Sequence, residues 1–254
     1  MHLYAPHVHV PFERIDKHLD LIRKSRFNLE IFFGSKIFDS LTDSDITDLK
    51  KKLDHSPRLS FHAPFMDLSP GAVDLEVRKV TMQRFSRILD FAEVLKPAVI
   101  IFHSGYERWK YAHKTDIWLE QSLKTWIPVN ERASDIGVKV AIENVFEDEP
   151  ENLTLLAREM DSPNFGICFD TGHFNLFAKP ALSEWLQMVK PYILAAHIHD
   201  NNGHADEHIV LGDGTFDFST FFRELKGTEF VHTIEMHNID DVIKCLERIK
   251  TYME

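Results

Sequence analysis

Hydrophobic positions along the chain alternate between two patterns. Short unbroken apolar runs read as strands buried on both faces, and longer segments with apolar residues three and four apart read as amphipathic helices. The first strand is expected at 3–8, and the first helix at 12–24, where Phe12, Ile15, Leu19 and Ile22 share a face. Further strands are predicted at 27–33, 59–62, 99–103, 138–143, 165–170, 193–199 and 230–235. Helices are predicted at 43–53, 74–95, 116–136, 152–160, 182–189, 218–225 and 240–252, with Pro97 stopping the longest run. Strands that alternate with helices pair in parallel, and eight such units in 254 residues match a single α/β domain, a closed (β/α)8 TIM barrel spanning 1–254. The rival is an open doubly wound sheet, which needs a glycine-rich turn after the first strand. His7-Val8-His9-Val10-Pro11 provides none.

The strands end on residues that bind metals. Phe165-Gly166-Ile167-Cys168 runs into Phe169-Asp170-Thr171-Gly172-His173, which places a carboxylate and an imidazole three residues apart in the turn expected to follow. His62, His103, Glu143, His197 and Glu235 stand at the ends of five other apolar runs. Barrel active sites gather at the C-terminal ends of the strands, so these side chains should converge on one mouth. Four carboxylate and imidazole groups gathered there, Glu143, Asp170, His197 and Glu235, would be an uncompensated polar cluster without a cation.

Composition narrows the chemistry. The two cysteines, Cys168 and Cys245, suggest no disulfide framework, which points to a reduced, cytoplasmic setting. The first residues lack a basic stretch followed by an apolar one, and no apolar run reaches 18 residues, so neither export nor a membrane partner is expected. A formal net charge of −11 disfavours an extended nucleic-acid surface, and bound divalent cations would offset several carboxylates.

The set His62, His103, Glu143-Asn144, Asp170-x-x-His173, His197-x-x-Asp200, Asp206-x-His208 with Leu211-Gly212-x-Gly214, and Glu235 resembles the xylose-isomerase-like TIM-barrel superfamily, over residues 55–240. That superfamily holds endonuclease IV and many sugar or sugar-phosphate isomerases and epimerases. In endonuclease IV-like enzymes the matching positions hold three zinc ions. The resemblance then implies His62, His103 and Glu143 on the first, Glu143, Asp170, His197 and Glu235 on the second, and His173, Asp206 and His208 on the third. In the epimerase branch Glu143, Asp170, His197 and Glu235 imply a single divalent ion such as manganese, with Glu143 and Glu235 as the catalytic acid and base. The cofactor expectation is thus zinc or manganese, one to three ions.

Three residues are candidates for substrate contact. His199 shares a strand face with His197 and could touch substrate, support a ligand or simply pack. Glu30 in the second strand could hydrogen-bond across the barrel floor or to a sugar hydroxyl. Arg108 lies in an aromatic and cationic loop after the fourth strand, suited to a phosphate or carboxylate or to a solvated surface. The glycines of Leu211-Gly212-Asp213-Gly214 can hold a turn that aims the preceding loop into the mouth.

The favoured expectation is a metal-dependent isomerase or epimerase of a small sugar or sugar phosphate. The runner-up is a trinuclear-zinc phosphoesterase, including an abasic-site endonuclease. A DNA substrate is disfavoured by the net charge, the acidic stretch Glu147-Asp148-Glu149-x-Glu151 and the lack of an arginine-rich loop after the second strand, although Phe65-Met66 occupies the place of an apolar wedge. A third reading is a barrel that binds metal or sugar without turnover.

Overall fold

In a computed structural model that describes residues 5–253, eight strands close into a barrel in chain order. They are β1 (His7–Pro11), β2 (Asn28–Phe32), β3 (Leu59–His62), β4 (Val99–His103), β5 (Lys139–Glu143), β6 (Phe165–Asp170), β7 (Ile193–Ile198) and β8 (Val231–Ile234). Every neighbouring pair is parallel, and β1 pairs with β8 to complete the ring. Around it run α1 (Ile15–Ser25), α2 (Ser35–Phe38), α3 (Asp43–Lys52), α4 (Leu75–Leu95), α5 (Thr115–Asp135), α6 (Glu151–Met160), α7 (Thr171–Phe177), α8 (Leu182–Val189), α9 (Phe218–Glu224) and α10 (Ile239–Met253).

Alternation along the strands divides their residues between two environments. One set, including Val8, Val10, Leu29, Ile31, Phe61, Ile100, Phe102, Val140, Ile142, Ile167, Phe169 and Ile198, packs with helix residues such as Ile22, Phe85, Ile88, Trp126 and Trp185 into the main core. The other set faces the axis. There Val99, Ile101, Ala141, Cys168 and Ala195 form a small separate apolar cluster, and the opposite side of the interior is polar. Apolar residues on both faces explain why the strands read as continuous hydrophobic runs.

The same division explains the differences from expectation. β1 begins at His7 and continues to Pro11, beyond the expected 3–8, because His7 and His9 turn toward the polar interior while Val8 and Val10 enter the core. Residues 3 and 4 lie outside the described ones. The short helices α2 and α7 were not expected, since four and seven residues are too few to establish a 3.6-residue period. Cys168 and Cys245 are buried free thiols. Among the described residues no helix is long and apolar enough to cross a membrane.

Candidate metal centre and active site

All nine predicted ligands meet at the C-terminal mouth. His62, His103, Glu143 and Asp170 are the last residues of β3 to β6, His197 lies one residue inside the end of β7, and Glu235 immediately follows β8. Glu143 is the hub. Its Oε2 lies 3.2 Å from His62 Nε2, 3.4 Å from His103 Nε2 and 3.5 Å from His197 Nδ1, while Oε1 lies 3.0 Å from His173 Nδ1. His197 Nδ1 is also 3.5 Å from Asp170 Oδ2 and 3.3 Å from Glu235 Oε2, so three carboxylates face one imidazole nitrogen. A cavity of about 510 Å³ opens above, lined among others by His62, His103, Glu143, His173, Asp206, His208 and Glu235.

The turn expected after β6 is the start of α7. Asp170 is the N-cap of α7, and its Oδ1 accepts the His173 backbone N–H at 2.7 Å, so the helix start places both donors. Asn144 braces this corner by accepting the Asp170 N–H at 2.8 Å and donating its amide to the Asp170 carbonyl at 3.0 Å. Gly172 is required by a close approach. A Cβ there would stand 2.1 Å from His199 Cε1.

The histidines are oriented from behind. Nδ1 of His62, His173 and His208 lies 3.0 to 3.1 Å from the main-chain carbonyls of Ala63, Asn144 and Glu235, which places a proton on Nδ1 and turns Nε2 of His62 toward Glu143 and Nε2 of His173 and His208 toward Asp206. His197 is reversed. Its Nε2 lies 3.0 Å from Glu30 Oε1 and its Nδ1 among the three carboxylates, and neither nitrogen makes a hydrogen bond. An orphaned buried nitrogen among carboxylate oxygens is the donor set of a divalent cation. Four overlapping triads have ligand atoms within 4.8 Å of one another: His62–Glu143–His197, Glu143–Asp170–His173, Asp170–His199–Glu235 and His199–Asp206–His208. The residues present therefore fit a metal.

Without an ion, protons on the imidazoles compensate the carboxylates. Burial opposes ionisation of Glu143 and Asp170, but His197 and His103 hold Glu143 well below the usual range, as His173 and His199 hold Asp170. Burial would lower His173, yet Asp170, Asp206 and Glu143 push it up to about 12, and Asp206 and Glu235 likewise lift His208 to about 9. Metal binding would displace such protons.

Asp200 organises the far side of the mouth. Buried beyond β7, it accepts backbone N–H groups of Gly212 (2.9 Å) and Gly214 (3.0 Å) on Oδ2, and of Asn201 (2.9 Å) and Phe216 (3.1 Å) on Oδ1. Gly212 takes the left-handed φ of 83° that the turn needs. The loop then carries His208, at φ 50°, flat against His199 with ring centroids 3.9 Å apart, and sets its Nε2 3.1 Å from Asp206. Asp200, within His197-x-x-Asp200, is a site residue that residue type alone does not single out. The signal was its place three residues after His197, before the glycine pair.

The three substrate candidates separate. His199 is fully buried with Nε2 3.1 Å from both Asp170 oxygens, which makes it a tenth potential donor. Glu30 is also fully buried, accepting from Ser60 Oγ (3.1 Å) and Thr233 Oγ1 (2.9 Å) and lying 3.3 Å from His9 Nδ1. It thus makes the hydrogen bonds expected across the barrel floor, with His9 and His197 both against Oε1 and Ser60 and Thr233 on Oε2. Arg108 pairs with Asp148 in a hollow beside the mouth cavity. Phe65 stacks on His103 at 4.0 Å and is committed to packing, whereas Met66 projects into solvent.

Comparison with known proteins agrees with this architecture. A solved D-tagatose 3-epimerase-like protein superposes with a TM-score of 0.82 at 29% identity, over 97% of each chain. The uncharacterized protein MJ1311 of Methanocaldococcus jannaschii is 36% identical over 202 residues, 76% of this chain and 69% of that one. A ketose 3-epimerase of Arthrobacter globiformis is 33% identical over 104 residues, 38% of this chain and 34% of its own. The family described as xylose isomerase-like TIM barrel matches residues 28–251, and the chain belongs to that family.

Proposed function

We propose that the chain is a metal-dependent epimerase or isomerase acting beside the carbonyl of a small ketose or ketose phosphate. The observation that carries this is the meeting of Glu143 and Glu235 at His197 Nδ1, with both carboxylates lining the open cavity. The kinship with epimerase-like proteins supports it. Glu143, Asp170, His197 and Glu235 would hold the divalent ion, zinc or manganese, which when bound polarises a substrate carbonyl. The neighbouring carbon can then lose its proton to one glutamate, its electrons delocalising into the carbonyl, and regain a proton from the other on the opposite face. Burial opposes the charge on Glu235, yet His9 and His197 hold it below its usual range, and Glu143 is also held low. The glutamate that acts as acid must therefore take up a proton before it donates one.

A second reading, a trinuclear phosphoesterase, is favoured by one observation, the outer triad His199–Asp206–His208 beside His173. Metal analysis of protein purified without chelator, combined with α-proton exchange of ketoses and ketose phosphates in deuterated water, separates the two. The proposed reading expects at least one zinc or manganese per chain and exchange that Glu235→Gln abolishes with the fold intact. Phosphodiester cleavage without exchange would transfer the assignment to the second reading, and a chain that binds no metal would end both.

A further inference from the structure

A second hollow, of about 310 Å³, adjoins the mouth and is lined by Glu107, Arg108, Trp109, Phe146, Asp148 and Phe177. Phe146 and Phe177 also line the mouth cavity, so the two spaces meet at that aromatic pair. Three of the four tryptophans, Trp118, Trp126 and Trp185, are fully buried, whereas Trp109 is 77% exposed and Phe146 60% exposed. Contiguous exposed apolar surface beside a cleft is one mark of a ligand groove. The frame beneath it is well tied. Tyr106 and Tyr111 stack on each other, Tyr106 packs on Trp118, and Lys110 reaches Ser69 Oγ at 3.0 Å, so the loop is pinned. Trp109 is held by His113 (4.5 Å between centroids) and the Arg108 guanidinium (5.5 Å) while most of its surface stays exposed. Glu147, buried, accepts from Ser104 Oγ at 2.6 Å and from the Val145 N–H at 2.6 Å, which joins the loops after β4 and β5. Asp148 bridges Arg108 and Lys179.

Flat apolar faces bordered by carboxylates and a guanidinium match the chemistry of a neutral sugar ring, whose C–H face stacks on an aromatic while its hydroxyls meet charged hydrogen-bonding groups. The carboxylates Glu107 and Asp148 are matched there by Arg108 and Lys179, so the hollow has no net positive charge to draw a phosphate. We propose that this hollow is a second sugar subsite, so that the preferred substrate is a ketose bearing a neutral glycosyl group, with the ketose in the mouth and the second ring against Trp109 and Phe146. This rests on the reading that the mouth takes a ketose.

The test uses metal-loaded protein with D-fructose and with its glucosyl derivatives turanose, maltulose and isomaltulose. At least one derivative should exceed fructose in kcat/KM for α-proton exchange by about tenfold, the equivalent of ~1.4 kcal/mol. Trp109→Ala and Phe146→Ala should collapse that ratio, and the same sugar should shift Trp109 emission in the wild type and in Glu235→Gln. No gain from the glucosyl group and no emission change would overturn the subsite even if fructose exchanges. Conversion of a dimer to monomers by Trp109→Ala, with the sugars without effect, would overturn it by making the hollow a subunit contact. Emission shifts without exchange on any ketose would uphold the subsite and remove the catalytic reading instead.

Discussion

Replacing Glu30 with glutamine tests whether the barrel floor tunes the donors above it. The carboxylate is fully buried and faces four groups able to donate: Ser60 Oγ at 3.1 Å, Thr233 Oγ1 at 2.9 Å, His9 Nδ1 at 3.3 Å and His197 Nε2 at 3.0 Å. Glutamine has the same shape but presents an NH2 on one side, so two of the four must face a donor. Hydroxyls can turn away at little cost, whereas an imidazole must change tautomer. The lost charge matters more. Burial opposes ionisation of Glu30, but His197 and His9 hold its carboxyl well below the usual range. When a metal displaces the extra proton, that charge beside Nε2 would favour the His197 tautomer that leaves Nδ1 free to face Glu143, Asp170 and Glu235. Removing such a partner typically weakens metal binding about 10–100-fold, or ~1.4–2.7 kcal/mol. Competition between the protein and a chromophoric chelator for zinc measures this directly, with thermal unfolding of the metal-stripped protein as the control for folding. A well-folded Glu30→Gln variant whose zinc affinity stays within about twofold of wild type would refute the reasoning, since the shift anticipated is at least about tenfold.

Three further outcomes are expected. Gly172→Ala would drive a Cβ into the His199 ring, 2.1 Å from Cε1, and should lower stability by about 1–3 kcal/mol in urea unfolding while displacing His199 from Asp170; an unchanged midpoint would show that the ring has somewhere to go. Asp200→Asn sets an amide NH2 among four backbone N–H groups, so hydrogen exchange across 201–216 should accelerate by the loss of roughly 1–3 kcal/mol of local stability, and unaltered protection would remove Asp200 as the clasp. Burial lowers His7 and His232 from 6.5 to about 4 each, further helped at His232 by the charge of His7. Between those pH values the unfolded chain takes up protons that the native chain does not, so stability is full above pH 6.5 and falls as pH drops toward 4, by on the order of 3 kcal/mol per histidine. His232→Phe, beside Phe222 and Phe230, should remove about half of that fall in metal-stripped protein by this linkage, and an equal pH slope in both proteins would contradict it.

Much of the site was legible because the barrel converts sequence position into place. Once eight apolar runs alternate with eight amphipathic segments, the ends of parallel strands must share one face, which puts His62, His103, Glu143, Asp170, His197 and Glu235 at one mouth. The registers of β1 and the two short helices were not legible, because His7 and His9 carry polar side chains into an interior that periodicity reads as apolar, and a helix of four or seven residues shows too little of its period.

The chain's pattern thus determined by itself the fold, the face that carries chemistry and the residue types gathered there. Tertiary structure alone decided what each group does there. Glu30 finds Thr233 from 203 positions away, His62, His173 and His208 are aimed by the particular carbonyls placed behind them, and His199 comes to rest on His208 because Asp200 folds the intervening loop back. Local periodicity sets which face a side chain takes. The orientation of its polar atoms depends on partners that only closure of the barrel brings within hydrogen-bonding reach.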